Sequence, residues 1–194
     1  MKRVAVFDYD NTLILGDSFW PFLNFAVGTL RSYSALACGL ISYALRRDRH
    51  ISLRDFLKDY LVQRLLKGRK IIDLAPAAEK LRRWQKINPP LMRALREHKQ
   101  RGDLIVIASG ALGIYLPDLM HDAPHDALIC TDIGFADGIV TGNMINGNCV
   151  REIKAQRVAA WLEAHGPFDE TFGYGNYPHD VPMLSLVKHR IIVS

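Results

Sequence analysis

The chain has 194 residues, of which 49% are hydrophobic and 23% charged, enough for one domain with an insert or for two small domains, and too apolar for a disordered polypeptide. Its 25 Lys and Arg against 20 Asp and Glu give a formal net charge of +5, a field that favours the approach of an anionic substrate, would also suit nucleic acid or an anionic membrane, and can equally serve solubility. No zinc-finger spacing and no interleaving of basic and aromatic residues of the RNA-binding kind occurs, so no nucleic-acid partner is expected.

Lys2 and Arg3 open the chain, but Asp8 and Asp10 follow within ten positions and break any signal-peptide core. Residues 4–7, VAVF, are a short apolar run of strand formers and read as a buried parallel strand. From Ser18 to about Ala44 apolar residues recur at helical spacing, with Gly28 and Gly39 as weak points. The longest apolar pieces, such as residues 35–45, fall short of the ~20 residues that a membrane-spanning helix needs. A surface-lying contact stays open. Residues 46–50 form a polar break. Ser52 with Asp55 resembles a capping box, and Phe56, Leu57, Tyr60, Leu61 and Leu65 share one helical face, with Gly68 as terminator. A helix over residues 73–86 carries Leu81 and Trp84.

Asn88-Pro89-Pro90 marks a boundary, because proline starts helices and stops what precedes it. Beyond it the spacing predicts a helix over 91–100, a strand over 104–108 and a shorter helix broken at Pro117. A strand over 127–131 and a hairpin around Asp137-Gly138 follow. Then come a helix over 152–164, a strand over 171–174, a helix over 181–187 and a strand over 190–193. This alternation predicts an α/β fold, a doubly wound parallel sheet with a small all-helical insert after the first strand. Residues 1–16 and 89–194 are read as the catalytic core and 17–88 as a helical cap. The three cysteines, Cys38, Cys130 and Cys149, are too few and too widely spaced for a disulfide framework or a metal site, and suit a reducing cytoplasm.

In such a sheet, ligands bind beyond the carboxyl ends of the strands. Four polar clusters fall there: Asp8-Tyr9-Asp10-Asn11-Thr12, Ser109-Gly110, Lys154, and Gly175-Asn176 with Asp180. Asp8 and Asp10, two apart in an extended segment, point to one side, where paired carboxylates can hold a hard cation and share acid and base duties. Each piece has a plain alternative. An Asp-x-Asp can be a solvated turn, Ser109 and Asp17 can cap helices, and Lys154 can be a solvated helix lysine. His50, His121 and His125 show no metal spacing and read as surface, and His179 reads as a rim residue.

Taken in order, the four clusters resemble the signatures of the haloacid dehalogenase superfamily. VAVFDYDNTL at 4–13 is similar to the first, Asp-x-Asp-x-Thr after an apolar strand, and LIVIASG at 104–110 to the second. Lys154 in CVREIKAQRV is similar to the third, and GYGNYPHDVPML at 173–184 to the fourth, usually Gly-Asp-x-x-x-Asp. The position of the helical insert, with INPP and DGIVTG, resembles the phosphoserine-phosphatase-like branch, subfamily IB. The resemblance implies a Mg²⁺-dependent phosphatase. In it Asp8 is the nucleophile that forms an aspartyl-phosphate, and Asp10 protonates the leaving alcohol and then activates water. Thr12 fastens the loop, Ser109 and the Gly110 amide hold phosphoryl oxygens, and Lys154 offsets charge. Mg²⁺ falls to Asp8, the carbonyl of Asp10 and the first acid of the fourth signature, which is Asn176 here. That amide keeps an oxygen but removes one negative charge. Asp180 would orient Lys154 or a metal-bound water.

Asp17 stands where serine-type phosphatases carry a glutamate that reads the substrate's amino group. Trp20, Phe22, Phe25 and Tyr33 are expected to pack the cap. An apolar cap bearing Arg31, Arg46, Arg47 and Arg49 suits a lipid phosphate, and with it peripheral membrane contact, as well as a small-molecule phosphate monoester. A phosphotransferase, or a regulatory module weakened at Asn176, stays open beside the hydrolase.

Overall fold

The computed structural model describes residues 1–46 and 50–193; Arg47 and Arg49, expected among the basic residues of the insert, lie outside them. The chain runs β1 (Arg3–Phe7), α1 (Phe19–Val27), α2 (Thr29–Ala44), α3 (Leu53–Leu66), α4 (Ile71–Trp84), α5 (Pro89–Gln100), β2 (Leu104–Leu112), α6 (Leu116–Leu119), β3 (Ala127–Ala136), β4 (Ile139–Ile145), α7 (Arg151–His165), β5 (Glu170–Asn176), α8 (Val181–Leu184) and β6 (His189–Val193). The six strands form one sheet in the order β4-β3-β2-β1-β5-β6. All neighbours are parallel except the β3–β4 hairpin.

β1 lies inside the sheet and is covered on both faces, which is why its sequence is continuously apolar rather than alternating. Val4 and Val6 face one core with Val106, Ala108, Val158 and Met183, under α7 and α8. Ala5 and Phe7 face the other with Leu95, Ile105 and Ile107, under α5 and the helical insert. Each of the larger of these side chains contributes about 1.5–3 kcal/mol through burial, so a charged residue at Val6 would unfold the centre of the sheet. His98 on α5 pins that helix to the sheet. Its ring reaches the Asp103 carboxylate at 2.7 Å and the Tyr174 hydroxyl at 2.8 Å.

The insert differs from expectation in instructive ways. The helically spaced run over 18–44 forms two helices, because Gly28, one of its two weak points, adopts φ 87° and ψ 148°, a backbone state that glycine alone enters freely. Gly39 is not a break at all. It is buried within α2, and a Cβ there would meet Tyr60 at 2.9 Å and Leu57 at 3.0 Å, so its missing side chain lets α2 and α3 approach. Ser52 caps α3 as anticipated, accepting from the Asp55 amide at 3.2 Å. Pro117 starts α6 rather than breaking it. The strand expected to end at Ala108 continues through Ser109 to Leu112, which removes the helix-cap reading of Ser109. The helix expected over 181–187 ends at Leu184. Among the described residues no helix is long and apolar enough to cross a membrane.

Candidate active site

The register sets the site. Phe7 pairs with Ile107 of β2 and Tyr174 of β5, so the next residues of three adjacent parallel strands stand at one level. These are Asp8, then Ala108-Ser109, and Gly175-Asn176. The Asp8 amide still bonds the Tyr174 carbonyl at 2.8 Å, which keeps the aspartate rigid on the sheet edge. The loop then folds back on itself. Asn11 takes φ 57°, and Thr12 is buried and donates its hydroxyl to Asp8 Oδ2 at 2.9 Å. Asp10 Oδ1 accepts from the Ser18 amide at 2.8 Å. Ser109 is fully buried, and its Oγ accepts from the Ala111 amide at 3.1 Å.

Lys154 lies in the first turn of α7 and is buried. Its Nζ donates to Asp8 Oδ1 at 2.7 Å and to Asp180 Oδ1 at 2.6 Å. The other oxygen of Asp180 accepts from the Asn176 amide at 2.9 Å, so both of its oxygens already have protein donors. Gly175 makes room for this arrangement: a Cβ there would stand 2.7 Å from that of Asp180. Burial pushes the Asp8 carboxyl up to about 6 although Lys154 pulls it down. Burial, then Asp17 and Asp8, push Asp10 up to about 7. Burial disfavours the Lys154 ammonium, but Asp8 and Asp180 outweigh it and hold the lysine above its ordinary value.

Asn176 is the residue through which a cation would be tested. Its Nδ2 donates to Asp8 Oδ2 at 3.3 Å and to the Asp10 carbonyl at 3.2 Å. The two ends of an amide are nearly isosteric. Turned over, Asn176 would add its carbonyl oxygen to the same two oxygens, and three converging oxygens need a cation between them. The donor set of carboxylate, main-chain carbonyl and amide oxygen therefore fits a hard ion such as Mg²⁺. Among the described residues no three His, Cys, Asp or Glu side chains cluster in a metal-holding group.

The site opens into a cavity of about 240 Å³ whose wall includes Asp8, Asp10, Ser109, Lys154, Asn176 and Asp180, and whose other side comes from the insert through Phe19, Trp20 and Lys58. Asp17 stands just before α1: its Oδ1 accepts from the Phe19 amide at 2.9 Å, and its Oδ2 faces Arg54 at 3.4 Å on the cavity wall. His179 stands on the rim against Arg54, 3.3 Å away. Phe22 packs in the core as expected, with Phe25 against it. Trp20 does more, since it also lines the cavity, and half-exposed Tyr33 meets it edge-on at 5.2 Å.

Sequence reasoning missed a second group. Arg151 at the start of α7 pairs with Asp55 of α3 at 3.0 Å, and Asn148 donates to the same carboxylate at 2.8 Å. Lys58, one turn further along α3, reaches across to β2 and β3. No spacing marks these residues, because Asp55 and Lys58 at i and i+3 look like an ordinary solvated helix pair.

The raised carboxyls imply a stability signature. Asp8 and Asp10 titrate higher folded than unfolded, so their favourable contribution is complete below about pH 4 and is lost as pH rises through about 6 to 7. In EDTA the unfolding midpoint should therefore fall between pH 5 and 8, by roughly 4 °C or more, and Asp10→Asn should flatten the slope. A midpoint that is level or rises over that interval would contradict the assignment.

The family model described as haloacid dehalogenase-like hydrolase matches residues 5–185. The chain belongs to that family. It is 26% identical over 207 residues to the histidinol-phosphatase of Neisseria meningitidis serogroup C (strain 8013), covering 100% of this chain and 91% of that one. Among solved structures it is similar to a protein of unknown function from Bordetella pertussis Tohama I, with a TM-score of 0.83, 23% identity, and coverage of 99% and 90%. It is also similar to a phospho-aspartyl intermediate analogue of phosphoserine phosphatase, with a TM-score of 0.66, 18% identity, and coverage of 98% and 86%. At such identities the structures show a shared fold.

Proposed function

We propose that this hydrolase is a Mg²⁺-dependent phosphomonoesterase that works through an aspartyl-phosphate on Asp8. The observation that carries the reading is Asp8 itself: a buried carboxylate clamped between Lys154 and Thr12 on a sheet edge, opening onto a cavity. One Asp8 oxygen attacks phosphorus, and the leaving alkoxide takes a proton from Asp10. Water then attacks the acyl phosphate and gives its proton back to Asp10, which restores both aspartates. A group held near neutrality can perform both transfers, and the elevated value of Asp10, about 7, suits it. Ser109 and the Gly110 amide hold phosphoryl oxygens. Asp8, the Asp10 carbonyl and Asn176 would hold Mg²⁺, which when bound neutralises phosphoryl charge beside the carboxylates. Because both Asp180 oxygens are engaged, its part is to position Lys154 and the Asn176 backbone.

Residues 17–88 then serve as the cap over a core of 1–16 and 89–194, with Phe19, Trp20 and Lys58 closing the cavity from above. A space of about 240 Å³ suits a small ester, and Asp17 with Trp20 suits an alcohol half bearing an amine or an aromatic ring. The similarity to a histidinol-phosphatase supports this reading. A lipid phosphate is the second reading. It is favoured by the solvent side of α2 and the residue after it, where Leu30 is 84%, Ile41 61% and Leu45 79% exposed, with Arg31 also exposed on the helix.

The test is phosphate release from a panel of histidinol phosphate, phosphoserine and a lysophosphatidate, with and without Mg²⁺. Preference for the lipid would replace the small-ester reading, and silence on all esters would end the phosphatase reading. Asn176→Asp restores a charge at the cation site and should lower the Mg²⁺ concentration for half-maximal activity by about tenfold. An unchanged Mg²⁺ titration would remove Asn176 from the ligand set.

A further inference from the structure

Lys58 is the one polar side chain of α3 that crosses onto the core strands β2 and β3 without pairing to a carboxylate in any contact described above. Its Nζ donates to the Gly110 carbonyl, to Asn148 Oδ1 at 2.6 Å and, more weakly, to Thr131 Oγ1 at 3.5 Å. All three acceptors are neutral. The Gly110 carbonyl also faces the Thr131 hydroxyl at 2.9 Å, whose single proton it shares with Asn148 Oδ1 at 3.1 Å. That carbonyl belongs to the same peptide group as the Ala111 N–H, which donates to Ser109 Oγ at 3.1 Å. Drawing electron density to the oxygen of a peptide makes its N–H a stronger donor. With its lone pair held there, the Ser109 hydroxyl has its own proton left to donate, and it stands on the cavity wall.

We propose that Lys58 is a positioning residue for phosphoryl binding: through the Gly110–Ala111 peptide it fixes and polarises the Ser109 hydroxyl, so that the phosphate pocket of the core is complete only when α3 of the insert is packed onto it. This rests on the phosphatase reading for its consequence in turnover, though not for its consequence in oxyanion binding. The packing around the link leaves little slack. A Cβ at Gly110 would stand 2.8 Å from Val150 and 3.6 Å from Lys58 Nζ, so the backbone lies hard against Val150 and in ordinary contact with Lys58. Phe19 covers the ammonium at 5.5 Å and shields it from water. Burial lowers Lys58 to about 8, with Asp10 and Asp17 acting the other way and Arg54 adding to the depression, so the ammonium keeps all three protons at neutral pH. The charge is thus spent on dipoles rather than on a carboxylate, which is what a link that must polarise a peptide requires.

The experiment is a double-mutant cycle of Lys58→Met and Ser109→Ala. It is read both on kcat/KM with p-nitrophenyl phosphate and on the Kd for inorganic phosphate by calorimetry, each with Mg²⁺. Each single change should weaken both quantities by about tenfold, and in the Ser109→Ala background Lys58→Met should add less than about threefold. Lys58→Gln, which keeps a donor without the charge, should fall between wild type and Lys58→Met. Equal unfolding midpoints for Lys58→Gln and wild type keep the comparison free of lost packing. Effects of the two substitutions that multiply would overturn the link, as would a Lys58→Met protein with unchanged phosphate affinity. A wild-type protein that binds phosphate through a coupled pair and yet hydrolyses no ester would retain the link and sink the phosphatase reading instead.

Discussion

Replacing Asp8 by Asn is expected to lower phosphate release at least about a thousandfold while the protein folds normally. The amide fills the same volume, so Thr12 and Asn176 keep a partner of the right size, and Lys154 keeps Asp180 at 2.6 Å. What disappears is the nucleophilic oxygen pair. Unfolding and turnover should therefore separate: the midpoint changes little, and catalysis is lost. The burial that pushes the Asp8 carboxyl up to about 6 even predicts some relief on removing the charge in the absence of a cation. Rapid quenching with labelled substrate supplies the sharper readout. Wild type should trap label on the protein, and the variant should trap none. Turnover comparable to wild type would dismiss Asp8 as nucleophile, and label on the variant would move the phosphorylated residue elsewhere.

Lys154→Met is expected to damage both stability and activity. Lys154 lies between two buried carboxylates, with 3% of its own surface exposed, and its two ion pairs are 2.7 Å and 2.6 Å long. A buried ion pair is weak evidence of net stabilisation, but removing one partner is costly, because the charges left behind are neither solvated nor paired. Loss of the ammonium leaves Asp8 and Asp180 facing each other. One of them must take up a proton, which withdraws the nucleophile or loosens the Asp180 clamp on the Asn176 amide. The cost is about 3–5 kcal/mol on the folding equilibrium, and at least about a hundredfold in kcat. A chemical-denaturation series separates the two effects. If Lys154→Met unfolds at the wild-type denaturant concentration, the lysine is not holding buried charge, and the geometry described here loses its central contact.

How much of this was legible beforehand differs from residue to residue. β1 and its edge were legible because both faces of the strand are buried, which compels an unbroken apolar run and makes the first polar residue after it conspicuous. Asp8, Asp10, Lys154, Asn176 and Asp180 could be placed at strand ends and helix starts by local pattern alone. Lengths were less legible. Ser109 reads locally as the start of something new, yet β2 runs on to Leu112, because β3 offers Thr131 as a partner at that level. Gly39 and Gly28 look alike in sequence. Only one of them breaks a helix, since only Gly28 takes the positive φ, while Gly39 answers to a neighbour 2.9 Å away on α3.

The sequence by itself determined the alternation of strands and helices, the helical insert, and the identity of the residues at the sheet edge. Those follow from hydrophobic period and chain order, which are local. The tertiary structure decided the depth at which those residues sit, and with it their chemistry. Burial raises Asp8 and Asp10, and two carboxylates hold Lys154 charged. It also decided the other half of the cavity. Lys58, Asp55, Asn148 and Arg151 come from α3, from the segment before α7 and from the first residue of α7, between 52 and 96 positions apart for the pairs they form with one another or across the site. No local pattern specifies contacts at that separation, because they exist only once the insert has packed against the core and excluded the water that would otherwise solvate each charge alone.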